Sequence, residues 1–421
     1  MQPCREFSVS VRFPWRDRSL PLGKKWRRRF GYLLLLGLLL SLCLQMLSGC
    51  TRSFGEPKQF NHEICIGIID SLTGNDAESG RATVDAATLA TQEVNRAGGL
   101  EIRGQPHQVK LIIKDTQSSP EVAASVAQSL ITQENIVAIV GPQYSRYAIP
   151  VSGLAEQARI PMISPRSTNP ETTAGKRYVF RAIFTDTVQG EIIARFAHHD
   201  LRASKAAVLY DIASPYNRGI ADVFKRIFTQ LGGRMVAFES YTTGERDFSA
   251  QLRKIQSSKP DVLFLPNYEN EVPLQAQQAR QLRIQAILLG ADAWGGMKAS
   301  DRQWLEGAYF SDHFIPGIDN ATTQKFIQRY RQAYQSEPGA NAAATYDSMG
   351  LLFSVIQKQG RTDAESIRQG IANFGQYQGV TGTLEYRGTG DPIVSVAILQ
   401  IRDGKTSYFK EIAPMPQNLA N

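Results

Sequence analysis

Short apolar runs alternating with amphipathic stretches predict an α/β protein of two doubly wound parallel-sheet lobes. The alternation begins at Ile64, breaks off after Ser164 and resumes at Ala206, so two series of strands and helices follow one another. About 370 residues follow the first fifty, more than one hydrophobic core usually serves.

In the first series, residues 64–69 read as a buried strand. A helix over 81–96 follows and stops at Gly98-Gly99, a termination signal. Residues 109–114 form the next strand. Pro120 opens a helix whose Val122, Val126 and Leu130 share one face. A strand over 137–140 ends at Gly141-Pro142. A helix over 148–158 and a short strand over 161–164 complete the series. The second series runs through strands at 206–210, 235–240, 262–265 and 286–289, with helices at 219–231, 248–257 and 272–281 between them. The tail departs from this rhythm, with helices over 322–334, 342–359 and 362–373, then strands over 382–386 and 394–401.

The amino-terminal fifty residues have a different character. Lys24-Lys25-Trp26-Arg27-Arg28-Arg29 precedes an apolar run over 32–47, shorter than the ~20 residues a membrane-spanning helix needs. A basic stretch, a short apolar run and then small residues is the order of a secretory signal. Leu47-Ser48-Gly49-Cys50 resembles a bacterial lipobox, which implies acylation of Cys50. Residues 1–49 are therefore expected to be a lipoprotein signal peptide and 50–60 a tether. All but one unit of the formal charge of +8 belongs to this segment, because residues 1–49 hold nine Lys or Arg against Glu6 and Asp17. What remains is near neutral, which speaks against a nucleic-acid surface. Cys65 is the lone cysteine beyond the lipid site. It is expected as a small core residue, with no disulfide and no cysteine-based metal site.

In open parallel sheets, ligands bind beyond the carboxyl ends of strands. The first series places Ser71-Leu72-Thr73-Gly74, Gln143-Tyr144-Ser145-Arg146 and Ser164-Pro165-Arg166-Ser167-Thr168 there. Helix N-termini with hydroxyls suit a carboxylate, so Ser145 and Thr168 are candidates, although either serves equally as a helix cap. The second series places Tyr216, Tyr268 and Asp292 there. Each tyrosine offers an apolar ring with a polar tip, and Asp292 offers a partner for an ammonium or a cap for the turn before Trp294-Gly295-Gly296.

Pro161-Met162-Ile163-Ser164-Pro165-Arg166-Ser167-Thr168-Asn169-Pro170-Glu171, Glu245-Arg246-Asp247-Phe248-Ser249, Gln278-Ala279-Arg280 and Ser71-Leu72-Thr73-Gly74 together resemble the leucine/isoleucine/valine-binding class of type I periplasmic binding proteins, from about 64 to about 412. The resemblance implies two lobes joined by three crossings, one of residues 61–185 plus 315–390 and the other of 186–314 plus 391–413. It implies that Ser145 and Thr168 hold a ligand carboxylate. The backbone carbonyl of Arg166, together with Asp292, would hold an ammonium, and Tyr216 and Tyr268 would line the cleft. Where the family carries a disulfide, this chain has Ser118 and Tyr144. Ser79 replaces an aromatic residue, and Arg166 and Arg146 add charge near the cleft entrance. These departures fit a polar, acidic or amide-bearing solute at least as well as leucine.

The resemblance thus implies an exported, monomeric, lipid-anchored substrate-binding protein that hands an amino acid or similar solute to an ABC permease, with no cofactor and no metal. Binding of urea or a short amide, or a sensing or scaffold role on the same fold, are the alternatives. An enzyme is disfavoured: there is no GxGxxG after the first strand, no Walker loop and no GxSxG, and the five histidines lack zinc-ligand spacing.

Overall fold

The computed structural model describes residues 62–412. The expected signal segment, Cys50 and the expected tether lie outside those residues. No helix among the described residues is long and apolar enough to cross a membrane.

The first lobe is a six-stranded sheet in the order β2-β3-β1-β4-β5-β6. Its strands are β1 (His62–Asp70), β2 (Leu100–Ile102), β3 (Gln105–Asp115), β4 (Ile136–Val140), β5 (Met162–Ser164) and β6 (Val179–Arg181). All pairings are parallel except the β2–β3 hairpin. Helices α1 (Ala77–Arg96), α2 (Pro120–Gln133) and α3 (Ser145–Ala158) connect the strands. Buried Ile64, Ile66 and Ile68 alternate on β1 with Ile69 adding a continuous apolar end, as a strand covered on both faces requires.

The second lobe is a seven-stranded sheet in the order β15-β14-β11-β10-β9-β7-β8. It comprises β7 (Lys205–Asp211), β8 (Arg234–Tyr241), β9 (Val262–Phe264), β10 (Ile287–Gly290), β11 (Tyr309–Asp312), β14 (Val396–Arg402) and β15 (Lys405–Ile412). Helices α4 (Asp186–Arg195), α5 (Pro215–Gln230), α6 (Ser249–Ser258) and α7 (Val272–Gln281) accompany it. The tail helices α8 (Ala321–Tyr334), α9 (Ala340–Gln359) and α10 (Ala364–Ala372) return to the first lobe, where α9 packs on α1. The hairpin of β12 (Gly375–Gln378) and β13 (Thr383–Tyr386) then leads back to β14. The chain crosses between lobes three times, after β6, after β11 and after β13.

The expected strands and helices are all present, with ends shifted by a few residues. The structure adds β2, β6, α4, β11, β12 and β15, for which no element was expected. Cys65 is half-buried on β1 rather than a core residue, because its side chain lies on the face opposite Ile64 and Ile66, toward Lys110 and Glu63.

Candidate functional site

The segments beyond the carboxyl ends of β4, β5, β7, β9 and β10 converge between the lobes. Gln143, Tyr144, Ser145 and Arg166 from the first lobe face Tyr216, Tyr268, Asp292 and Ala293 from the second, and Asn341 at the start of α9 closes the side. Their packing leaves a cavity of about 10 Å3, room for roughly one water.

The first-lobe wall is a hydroxyl network. Ser145 is the first residue of α3, and its Oγ accepts from Ser167 Oγ at 2.9 Å and from the backbone N–H of Asn169 at 3.4 Å. Ser164 Oγ donates to the Pro142 carbonyl at 2.6 Å, tying the loop after β5 to the loop after β4. Thr168 is buried beside the Asp186 carboxyl but does not line the cavity. Burial raises the Asp186 carboxyl to about 7, and the nearby Asp292 charge pushes the same way. Arg181 anchors this wall from behind. Fully buried, it donates to Asp391 at 2.6 Å, to the carbonyls of Ser167 and Asn169, and to Thr173 Oγ1 at 2.6 Å.

The second-lobe wall centres on Asp292. Its Oδ1 accepts from Gln189 Nε2 at 2.9 Å and from the Tyr216 hydroxyl at 3.0 Å, and its Oδ2 accepts from Arg166 Nη2 at 3.1 Å. Arg166 is therefore not a charge at the cleft entrance. Its side chain lies buried across the cleft, also donates to the Asp292 carbonyl and stands 3.6 Å from Asp312 Oδ1. The flanking carboxylates make a buried guanidinium tolerable. It is Arg146 that lies nearer the cleft mouth, paired with Asp76 at 3.0 Å and stacked 4.4 Å over the Tyr268 ring.

Ser79 is buried but lies apart from this cavity. It lines an adjoining chamber of about 590 Å3 together with Glu269, Asp312 and Asn341, and its Oγ accepts from Asn341 Nδ2 at 2.9 Å. Of the seven anticipated ligand-binding residues, Ser145, Arg166, Tyr216, Tyr268 and Asp292 meet in one cavity, Thr168 stands behind its wall and Ser79 beside it. Gln143, Gln189, Glu269 and Asn341 also stand at or beside the cavity, though none is among the expected site residues. Gln143 and Glu269 adjoin motifs already singled out, but Gln189 and Asn341 lie on helices with no local signal of function. Among the described residues, no group of three or more His, Cys, Asp or Glu is placed to hold a metal.

Two α/β lobes enclosing a polar cavity built from both sides define a solute-binding clamp. Residues 63–406 match the family model described as periplasmic binding protein, and the chain belongs to that family. It is similar to Leu/Ile/Val-binding protein homolog 3 of Brucella melitensis, at 28% identity over 82% of this chain and 92% of that protein. A leucine-binding protein LivK from Thermotoga maritima shares the fold with a TM-score of 0.77 and 30% identity, covering 83% of this chain and 99% of that one. The substrate-binding protein LivJ of Streptococcus pneumoniae, solved in complex with isoleucine, matches with a TM-score of 0.77 and 30% identity over 84% and 100% of the two chains. The chain is thus a binding protein and not an enzyme.

Proposed function

We propose that this chain is the exported, lipid-anchored substrate-binding protein of an ABC importer, capturing an amino acid or similar small polar solute between its lobes. The observation that carries this reading is the pairing of opposite chemistries across one cavity. The Ser145 face offers hydroxyls and a helix N-terminus for a carboxylate. The opposite face offers Asp292, already oriented by Tyr216 and Gln189, for an ammonium. The relatives support it, since LivJ carries isoleucine and is a branched-chain amino-acid transporter component.

The moving bodies are residues 61–185 with 315–390 and 186–314 with 391–413. A solute bridging the two faces favours closure through its higher affinity for the closed form, and the closed monomer docks on the permease. The basic stretch, short apolar run and Leu47-Ser48-Gly49-Cys50 support export and lipid attachment. Replacing Cys50 by Ala is expected to release the protein from the membrane fraction, and retention of the variant there would refute the anchor.

A second reading is favoured by one observation. Asp292 is held by Arg166, while Gln143 Oε1 and the Tyr268 hydroxyl are buried without a partner among the described residues. A short amide or urea would satisfy both without needing an ammonium seat. A thermal-shift panel of amino acids, short amides and urea separates the readings, because specific ligands raise the melting temperature by mass action. A shift with amino acids supports the first reading and a shift with amides or urea alone the second. No shift with any of them removes both.

A further inference from the structure

We propose that Arg166 is a built-in competitor for the ammonium seat: it holds Asp292 until a solute cation displaces it, and so decides which solutes the cleft accepts. This rests on the reading of the cleft as an amino-acid site.

Two buried arginines, Arg166 in the loop after β5 and Arg181 at the end of β6, differ in how they are satisfied. Arg181 engages Nε, Nη1 and Nη2, all on fixed partners, as a permanent structural guanidinium does. Arg166 holds Asp292 through Nη2 alone, and its Nη1 is buried without a partner among the described residues. A buried charged donor left unpaired costs free energy, so Arg166 is held less firmly than its burial implies.

The surroundings hold a second place for it. Asp312 Oδ1 is 3.6 Å from Arg166 Nη2. Glu269, close enough for its charge to interact with Arg166, keeps a shielded Oε2 without a partner. Both carboxylates line the adjoining 590 Å3 chamber. Three carboxyls, Asp292, Asp312 and Glu269, therefore surround one guanidinium, a surplus that a solute ammonium offsets. In the exchange, the ammonium takes Asp292, whose Oδ1 stays fixed by Tyr216 and Gln189, and Arg166 moves its Nη2 to Asp312 and Glu269. Asp292 keeps a cation in both states, and Glu269 gains a direct one only after the exchange.

The consequence is a selectivity filter. Only a solute with a cation able to replace a guanidinium opens the seat, so an α-amino acid is accepted and its 2-hydroxy counterpart is not. It also means that Arg166 lowers apparent affinity, since binding must first displace it.

The test is titration calorimetry on the full-length protein in mild detergent, with L-leucine, L-glutamine, L-glutamate, 2-hydroxyisocaproate, acetamide and urea as probes. The wild type is expected to prefer an amino acid over the 2-hydroxy acid by about 100-fold or more. Arg166→Met, which keeps the apolar stem, is expected to tighten the best amino acid about 10-fold, and Arg166→Lys to tighten it less. Weaker amino-acid binding by a folded Arg166→Met overturns the proposal. If neither variant folds, the wild-type comparison decides, and equal binding of the 2-hydroxy and amino acids overturns it. Binding of acetamide or urea alone also overturns it, while leaving a solute-binding protein. No binding by any probe removes the solute reading and the exchange with it.

Discussion

The Tyr144 hydroxyl donates to Glu269 Oε1 at 2.6 Å, joining the cap of α3 on one lobe to the loop after β9 on the other. Asn341 Nδ2 donates to the same oxygen at 3.2 Å. Asn270 adds a parallel link, its Nδ2 donating to Asp76 Oδ1 at 2.9 Å. The cleft is thus closed by polar contacts that water can replace, as suits a joint that opens and shuts.

Tyr144→Phe removes one of these links and the hydrogen bond that holds the Glu269 carboxyl down against burial, which pushes it up. The Glu269 carboxyl is expected to rise further, and small-angle scattering is expected to report a more open average. An unchanged scattering profile would show that this contact does not bias closure.

Asp292→Ala leaves a buried Arg166 without its main carboxylate and removes the proposed ammonium partner. Amino-acid affinity is expected to fall about 100-fold or more, and stability by about 3 kcal/mol. Calorimetric titration and urea unfolding read the two effects separately, and an unchanged affinity would sink the ammonium site.

Arg181→Met strips the donors from the Ser167 and Asn169 carbonyls on either side of Thr168 and leaves Asp391 with the Thr173 hydroxyl but no cation. A loss of about 3 kcal/mol in denaturant unfolding is expected. Because the Arg181 side chain bonds to no residue that lines the cavity, affinity is expected to fall less than in Asp292→Ala.

Gly290 ends β10 against Trp294, and a Cβ there would lie 2.1 Å from the indole ring. Trp294 is fully buried with its Nε1 donating to the Leu265 carbonyl at 3.1 Å, so it has nowhere to move. Gly290→Ala is expected to cost roughly 1–3 kcal/mol and to lower the melting temperature, while displacing the Asp292 turn.

Burial holds Asp186 at about 7 and Asp70 and Asp347 at about 6, all above the ordinary carboxyl range. A folded-state pKa above the unfolded one means the folded chain binds more protons. Stability from these groups is full below about pH 4 and is lost as pH rises through 6 to 7. The melting temperature is expected to fall between pH 5 and about pH 7.5, and Asp186→Asn to flatten that slope. A slope unchanged by the substitution would show that Asp186 titrates normally.

Local pattern was enough for much of this molecule. The isoleucines of β1, the Gly98-Gly99 stop, Pro120 at the head of α2 and the three tail helices are each written in neighbouring residues, because strand and helix periodicity and turn chemistry are local. So was the placing of Ser145, Tyr216, Tyr268 and Asp292 beyond strand ends, where parallel sheets put their sites. The short strands β6 and β11 escaped notice because three or four mostly buried residues carry no period of their own. Tertiary structure alone decided the rest. It brought Gln189 on α4 to Asp292, 103 residues away, and Asn341 on α9 to Ser79, 262 residues away. It also turned Arg166 inward, onto two carboxylates of the opposite lobe, in place of the charge expected near the cleft entrance. Nothing near Arg166 in the chain shows that, because the acids that make its burial tolerable exist as neighbours only once the lobes meet.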